Sequence, residues 1–311
     1  MTINRFLFSI VVPIYYNALN IPYTVPKLQK LQDLIPDCDL ELIFVDDGSG
    51  DNSLELLLKE KQKDSRIKVI KLSKNFGSMA AIQAGLNLAN GDCVGVISAD
   101  LQDPPELFAD MITKWKSGKK IVMATREDRE ESFSQKLFSN TYYSLMNKFA
   151  IKNYPIGGFD FVLMDQQVVM ELNRINEKNT NIMSLIFWLG HEQETIPYVR
   201  QQRQVGKSRW TLSKKIKLFI DSFVSFSFAP IRFMSAIGLV TAMLSFLYGL
   251  FIIIFALFGE FKVEGWATII SIITFLLGLI MMMLGIIGEY LWRILDETRN
   301  RPGYIIDEIY K

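Results

Sequence analysis

Cys93-Val94-Gly95-Val96-Ile97-Ser98-Ala99-Asp100-Leu101-Gln102-Asp103-Pro104-Pro105 is an apolar run that gives way to oxygen-bearing side chains and then to two prolines. The run 93–97 is short and β-rich, which predicts a buried strand, and the prolines open a helix that closes near Gly118. A strand, a polar turn and a helix make one unit of a parallel α/β sheet, whose ligands bind beyond the carboxyl ends of the strands. In an extended segment the alternation of Ser98, Asp100 and Gln102 sends a hydroxyl, a carboxylate and an amide oxygen to one side. A hard divalent cation, Mg2+ or Mn2+, takes such oxygens together with phosphate oxygens of a bound ligand. A polar strand end before a proline-started helix would explain the prolines but not three aligned oxygens.

Working outward, the runs 8–14, 42–45, 67–72 and 121–124 also read as strands. Amphipathic segments at 51–63, capped by Asp51 or Ser53, and at 80–89, ending at Gly91, read as helices between them. The alternation predicts an α/β fold with a doubly wound, mostly parallel sheet. Val45-Asp46-Asp47-Gly48-Ser49 ends the second strand and puts two carboxylates where a base and a ribose could be held, with Gly48 letting the backbone turn close to a ligand. The same turn suits a capped helix entry equally well. Residues 140–181 are less regular.

The C-terminal third differs in kind. The uncharged runs 233–258 and 267–288 each exceed the roughly 20 residues that cross about 30 Å of hydrocarbon, and the polar turn between them carries Trp266 at its end. A two-helix transmembrane hairpin is predicted, preceded by an interfacial amphipathic helix over 213–229. The domain plan is a head over 1–212, that helix, the spans within 230–290, and a tail over 291–311. Between Arg200 and Lys217 there are seven Lys or Arg and no acid, whereas the short loop has only Lys262. The positive-inside tendency puts head and tail on the cytoplasmic side of a cell (inner) membrane, with the chain multi-pass. The run 6–16 is short and contains Pro13, so no signal peptide is expected. The net charge of +1 says nothing about nucleic acid, because the cations are gathered beside the spans, and no nucleic-acid partner is expected. Cys38 and Cys93 lack metal-ligand spacing and read as reduced structural thiols.

Five motifs stand in order: Ile10-Val11-Val12-Pro13-Ile14-Tyr15, Asp46-Asp47-Gly48-Ser49, Ser73-Lys74-Asn75-Phe76-Gly77, Ala99-Asp100-Leu101-Gln102-Asp103-Pro104-Pro105-Glu106 and Gly157-Gly158-Phe159-Asp160-Phe161. Together with the membrane tail they resemble the family 2 inverting glycosyltransferases of GT-A fold, in the branch that uses polyprenyl phosphate acceptors. The resemblance covers nearly the whole chain. It implies that Pro13, Tyr15, Asp46, Asp47, Asn75 and Gly77 surround a nucleotide sugar and that Asp100 with Gln102, and Ser98 beside them, holds the metal. It places Asp160 on the acceptor side and Arg126 near the diphosphate or acceptor, and makes Arg203, Ser208 and Arg209 a phosphate grip. The implied partners are a nucleotide sugar, with uridine-linked glucose or N-acetylglucosamine leading, a polyprenyl (undecaprenyl) phosphate and the membrane; a homo-oligomer is left open.

Two positions depart from the pattern. Relatives often read Asp-x-Asp where this chain has Ser98-Ala99-Asp100, and Tyr-Asn-Glu where it has Tyr15-Tyr16-Asn17. A processive polysaccharide synthase is disfavoured, because Gly206 stands at the glutamine of the Gln-x-x-Arg-Trp motif and two spans make no polymer channel. A non-catalytic nucleotide-sugar-binding protein finds its support in Ser98. His191 reads as a structural or surface histidine, Asp165 as a helix cap and the methionines of the tail as membrane filler.

Overall fold

A computed structural model describes residues 5–126, 143–151, 154–155, 159–175, 177, 180–201, 221, 224–258 and 265–311. Its strands are β1 (Phe6–Ile14), β2 (Cys38–Asp46), β3 (Ile67–Leu72), β4 (Cys93–Val96), β5 (Ile121–Arg126), β6 (Phe161–Asp165), β7 (Gln193–Tyr198) and β8 (Ile306–Tyr310). The helices are α1 (Ile21–Gln29), α2 (Leu31–Leu34), α3 (Ser53–Lys63), α4 (Ser78–Leu88), α5 (Phe108–Lys116), α6 (Gln166–Leu172), α7 (Ile182–Trp188), α8 (Ala229–Phe258) and α9 (Trp266–Thr298). The chain divides into one unit of Met1–Phe223 with Pro302–Lys311 and a second of Val224–Arg301.

The first unit is built on a sheet of order β7-β5-β6-β4-β1-β2-β3-β8. Pairs β1–β2, β1–β4, β2–β3 and β5–β7 are parallel, while β6 and β8 run against their neighbours. The continuous apolar runs of β1 and β2 are buried along almost their whole length, as strands covered on both faces must be. Gly95 on β4 has a packing reason: a Cβ there would stand 2.4 Å from the Phe108 ring. Because Gly95 lacks one, Phe108 drops onto the sheet and stacks edge-on to Phe8 at 5.0 Å and Phe161 at 4.6 Å, which fixes α5 and the loop before it.

The strand predicted over 93–97 ends at Val96, and the proline-started helix begins as a 3-10 turn, Pro105–Leu107, before α5. The sequence pattern missed β6, β7 and β8. The last of these changes the domain plan, because residues read as a tail supply an edge strand of the head sheet, antiparallel to β3.

In the second unit α8 and α9 have 30 and 33 residues and carry apolar stretches at Ala229–Phe251 and Ile269–Thr298. At about 1.5 Å per residue both exceed the roughly 30 Å of a bilayer core. The polar end of α9 is ordered by an Arg293–Glu289 ion pair of 3.0 Å one turn apart. Most of the amphipathic segment predicted at 213–229 lies outside the described residues.

Candidate active site

The sheet directions gather the polar motifs. Strands β1 to β5 and β7 point the same way, so their carboxyl ends deliver Tyr15, Asp46, the 73–77 turn, the 98–103 loop, Arg126 and Tyr198 to one edge. Because β6 runs the other way, Asp160, just before its start, arrives at the same edge.

Asp46 and Asp47 are both buried, at 1% and 2% exposure, and they do different work. Asp47 accepts from the Phe76 N–H at 2.7 Å and the Gly77 N–H at 2.9 Å, one on each oxygen, and so fixes the turn that carries Asn75. Asp46 accepts from the Ser49 N–H at 3.3 Å through Oδ2, while its buried Oδ1 has no hydrogen-bond partner among the described residues. Such an orphaned acceptor at a strand end is suited to a hydroxyl or N–H of a ligand. Burial raises the pKa of both carboxyls above the ordinary aspartate value, against the hydrogen bonds each accepts. The turn has to contain glycine. Gly48 has φ +66°, and a Cβ on it would come within 2.6 Å of the Lys74 backbone.

Pro13 lies near the end of β1, opposite Val45, and Tyr15 follows with its N–H on the Asn17 side-chain oxygen at 2.9 Å. Asn17 thus serves the backbone. Tyr16 takes a left-handed φ of +53°, its ring edge-on to Tyr15 at 4.7 Å.

Ser98 meets Asp100 through its side chain and Gln102 meets it through the backbone N–H, not by strand alternation, while the Gln102 side-chain amide donates to the Gln201 carbonyl at 3.4 Å. The chain has left β4, Leu101 turns it at φ +55°, and the Ser98 hydroxyl donates to Asp100 Oδ1 at 2.5 Å while the Gln102 N–H reaches the same oxygen at 3.2 Å. Thr24, on α1, donates its hydroxyl to the Ala99 carbonyl at 2.8 Å and holds the loop from beneath. No group of three or more His, Cys, Asp or Glu able to hold a metal occurs among the described residues. The oxygen-bearing stretch 98–102, with Asp100 as its one carboxylate while Asp103 is buried against Tyr198, nevertheless fits a magnesium-like ion that draws the rest of its shell from phosphate and water.

Across the edge, Arg126 Nη2 pairs with Asp160 Oδ2 at 2.6 Å; the arginine side chain is 11% exposed and the aspartate 58%. Arg126 Nε also lies 3.4 Å from the Tyr198 hydroxyl, which donates to Asp103. Burial works against the Arg126 charge, yet Asp160, Tyr198 and Asp103 together carry its pKa upward. Asp103 is 1% exposed; burial raises its pKa against Tyr198 and the arginines, and its Oδ2 has no hydrogen-bond partner among the described residues. Arg200 Nε stands 3.7 Å from Asp103 Oδ1. Next to it, Gln201 donates its N–H to the Gln102 carbonyl at 2.9 Å, tying the exit of β7 to the oxygen-rich loop.

Sequence reasoning gave no role to Asp103, Tyr198, Arg200 or Gln201. Asp103 stood inside the quoted motif and Arg200 inside the counted cations, but Tyr198 belongs to a strand the pattern did not show. Arg203, Ser208 and Arg209 lie outside the described residues, as do Gly157 and Gly158. His191 pairs with Glu171 at 2.6 Å, and Asp165 caps α6 while accepting from Trp115 and Lys120.

The profile of glycosyl transferase family 2 matches residues 9–173, more than half of the chain. The chain belongs to this family. It is 39% identical over 97% of its length to an uncharacterized glycosyltransferase, YkcC, of Bacillus subtilis, covering 94% of that protein. It is 33% identical, again over 97% of its length and 98% of the relative's, to the SfII prophage-derived bactoprenol glucosyl transferase of Shigella flexneri. Among solved structures, the mannosyltransferase PcManGT from Pyrobaculum calidifontis in complex with GDP-Man and Mn2+ matches 68% of this chain and 61% of its own at 17% identity and TM-score 0.49, too distant to assign residue roles. The family 2 chain is therefore a glycosyltransferase with a mixed eight-stranded sheet and two C-terminal apolar helices.

Proposed function

We propose that this glycosyltransferase moves a sugar, with inversion, from a nucleotide diphosphate carrier to a polyprenyl phosphate at the cytoplasmic face of a cell membrane. The observation that carries the reading is the meeting, at one sheet edge, of the Asp100–Gln102 loop with the Arg126–Asp160 pair. It occurs in a chain with two helices long enough to span a bilayer and with relatives named bactoprenol glucosyl transferase. The donor reading is a uridine diphosphate sugar, glucose or N-acetylglucosamine.

Asp46 Oδ1 and the Asn75 turn would receive the nucleoside. Asp100, Gln102 and Ser98 would hold Mg2+ or Mn2+, which when bound offsets charge on the diphosphate. A phosphate monoester is anionic at neutral pH, so the acceptor needs placement more than a strong base. Arg126 would attract its charge and Asp160 would orient it, while Arg203, Ser208 and Arg209 are assigned to phosphate by resemblance. The test is a panel of nucleotide sugars offered to the purified full chain in lipid nanodiscs with undecaprenyl phosphate, the lipid product being weighed by mass spectrometry. One lipid-linked hexose or N-acetylhexosamine is expected. Nucleotide release that ignores the lipid, or no product from any donor, would defeat the reading.

A further inference from the structure

The buried side of the Arg126–Asp160 pair has its own construction. Tyr198 lies beside Arg126 across the β5–β7 ladder, and its hydroxyl faces two ways. It accepts from Arg126 Nε at 3.4 Å and donates to the Asp103 carboxylate. The exposed side of the same guanidinium reaches Asp160 at 2.6 Å. One end of the arginine is thus linked through the Tyr198 hydroxyl to a carboxylate that is 1% exposed, and the other is presented at the sheet edge. Arg200, 3.7 Å from Asp103, balances the charge, giving two arginines for two aspartates.

Packing alone does not need this arrangement. The Tyr198 ring is already seated edge-on against Phe161 at 6.4 Å, and a phenylalanine would fill that place without adding a buried hydroxyl. A buried carboxylate costs free energy unless it is well hydrogen-bonded, and Asp103 Oδ2 lacks a hydrogen-bond partner among the described residues. Such a cost at the edge of a site is consistent with a task there. A guanidinium held at Nε has its plane fixed, so the direction in which its fork faces a phosphate is fixed too. The Gln201 N–H on the Gln102 carbonyl makes the same strand end part of the oxygen-rich loop, so one buried point references both halves of the site.

We propose that Asp103 and Tyr198 are positioning residues: they orient Arg126, and through it Asp160, relative to the Asp100–Gln102 loop. The proposal rests on the transferase reading above. If it holds, the Tyr198 hydroxyl acts only through Arg126, which a double-mutant cycle detects. Tyr198→Phe is expected to lower kcat at least tenfold with the donor KM within about twofold, and to lower the unfolding midpoint as well, because it takes a hydrogen bond from the buried Asp103; the loss that depends on Arg126, rather than the midpoint, is the reading that counts. In an Arg126→Ala background the same change should cost nothing further. Asp103→Asn, which keeps the volume, should follow the same pattern and serves as the second probe should Tyr198→Phe fold poorly. Equal losses in both backgrounds, or full turnover by Tyr198→Phe, would overturn the proposal. An unaltered chain without transfer would count against the function instead, and the cycle would then be read on affinity for farnesyl phosphate. There the expected result is several-fold weakening by Tyr198→Phe that vanishes without Arg126, and unchanged affinity overturns the proposal.

Discussion

Asp46 carries a charge whose worth depends on its buried oxygen finding a donor. If the nucleotide supplies one, removing the charge should weaken donor binding by about 1.5–3 kcal/mol, roughly tenfold to a hundredfold, and Asp46→Asn should show it in a titration. The pH dependence has a definite sign. Burial raises the Asp46 pKa, so in the free protein the carboxylate is neutralised at a higher pH than an ordinary aspartate. Binding that needs the charged form weakens as pH falls through that raised pKa and levels off above it. The variant should lose that component of the pH profile; an equally steep profile would place the titrating group elsewhere. Asp100 brings the only carboxylate of the stretch from Ser98 to Gln102. Asp100→Asn should abolish metal-dependent transfer, and Ser98→Asp should tighten Mn2+ in the absence of nucleotide, as titration with and without the diphosphate would show. Asp160 and Arg126 are named only through the resemblance, whereas Asp46, Asp47 and Asp100 were legible as candidates because their motifs end strongly apolar strands. The division of labour between Asp46 and Asp47 was not, because it depends on where the 73–77 backbone comes to rest.

At the scale of elements, β1 and β2 are tied by a polar contact inside the head as well as by their ladder. Glu41, 6% exposed, accepts from the Ser9 hydroxyl and from Lys68, and also from the Asn90 N–H at 3.1 Å. Burial opposes its charge, but Lys68, Ser9 and Asn90 hold its pKa below the ordinary glutamate value. A carboxyl with a depressed folded pKa contributes stability that is present above its unfolded pKa and is lost as pH falls through the folded one. Glu41→Gln leaves Lys68 without its partner and should cost about 1–3 kcal/mol at neutral pH, less in acid. Denaturation of the detergent-solubilised chain at two pH values checks this, and an unchanged midpoint would mean the network is incidental. The elements that sequence pattern revealed are β1 to β5, in which apolar residues predominate and are mostly buried, β3 keeping four buried apolar positions around Lys68 and Lys71. β7, Gln-Glu-Thr-Ile-Pro-Tyr, is an edge strand with polar positions, and β8 offers too few apolar residues to stand out. β6 sits in a region whose irregular flanks masked it.

For the whole molecule, the return of the chain to its own sheet constrains the membrane reading. β8 pairs with β3, Lys71 meets Asp307 at 2.6 Å, and the Ser73 N–H donates to the Ile305 carbonyl at 3.0 Å. Pro302–Lys311, after α9, therefore belong to the same folded unit as Met1–Phe223, before α8. If both helices span, their outer ends must open on the side where that unit lies, which an even number of crossings satisfies and an odd number does not. Charge supplies the side independently. Seven cations fall between Arg200 and Lys217, and Arg293, Arg299 and Arg301 follow the second stretch, against Lys262 alone between the helices. Taken together, the shared unit and the charge predict that a thiol at Lys262→Cys reacts with a membrane-impermeant maleimide on intact cells, whereas one at Lys311→Cys reacts only after permeabilisation. The native thiols should add little background, since Cys38 and Cys93 are both buried and free. Labelling of both reporters from outside would break the hairpin. The reversed pattern would keep the hairpin and move the head to the other face, which would contradict the proposed use of a cytoplasmic nucleotide sugar.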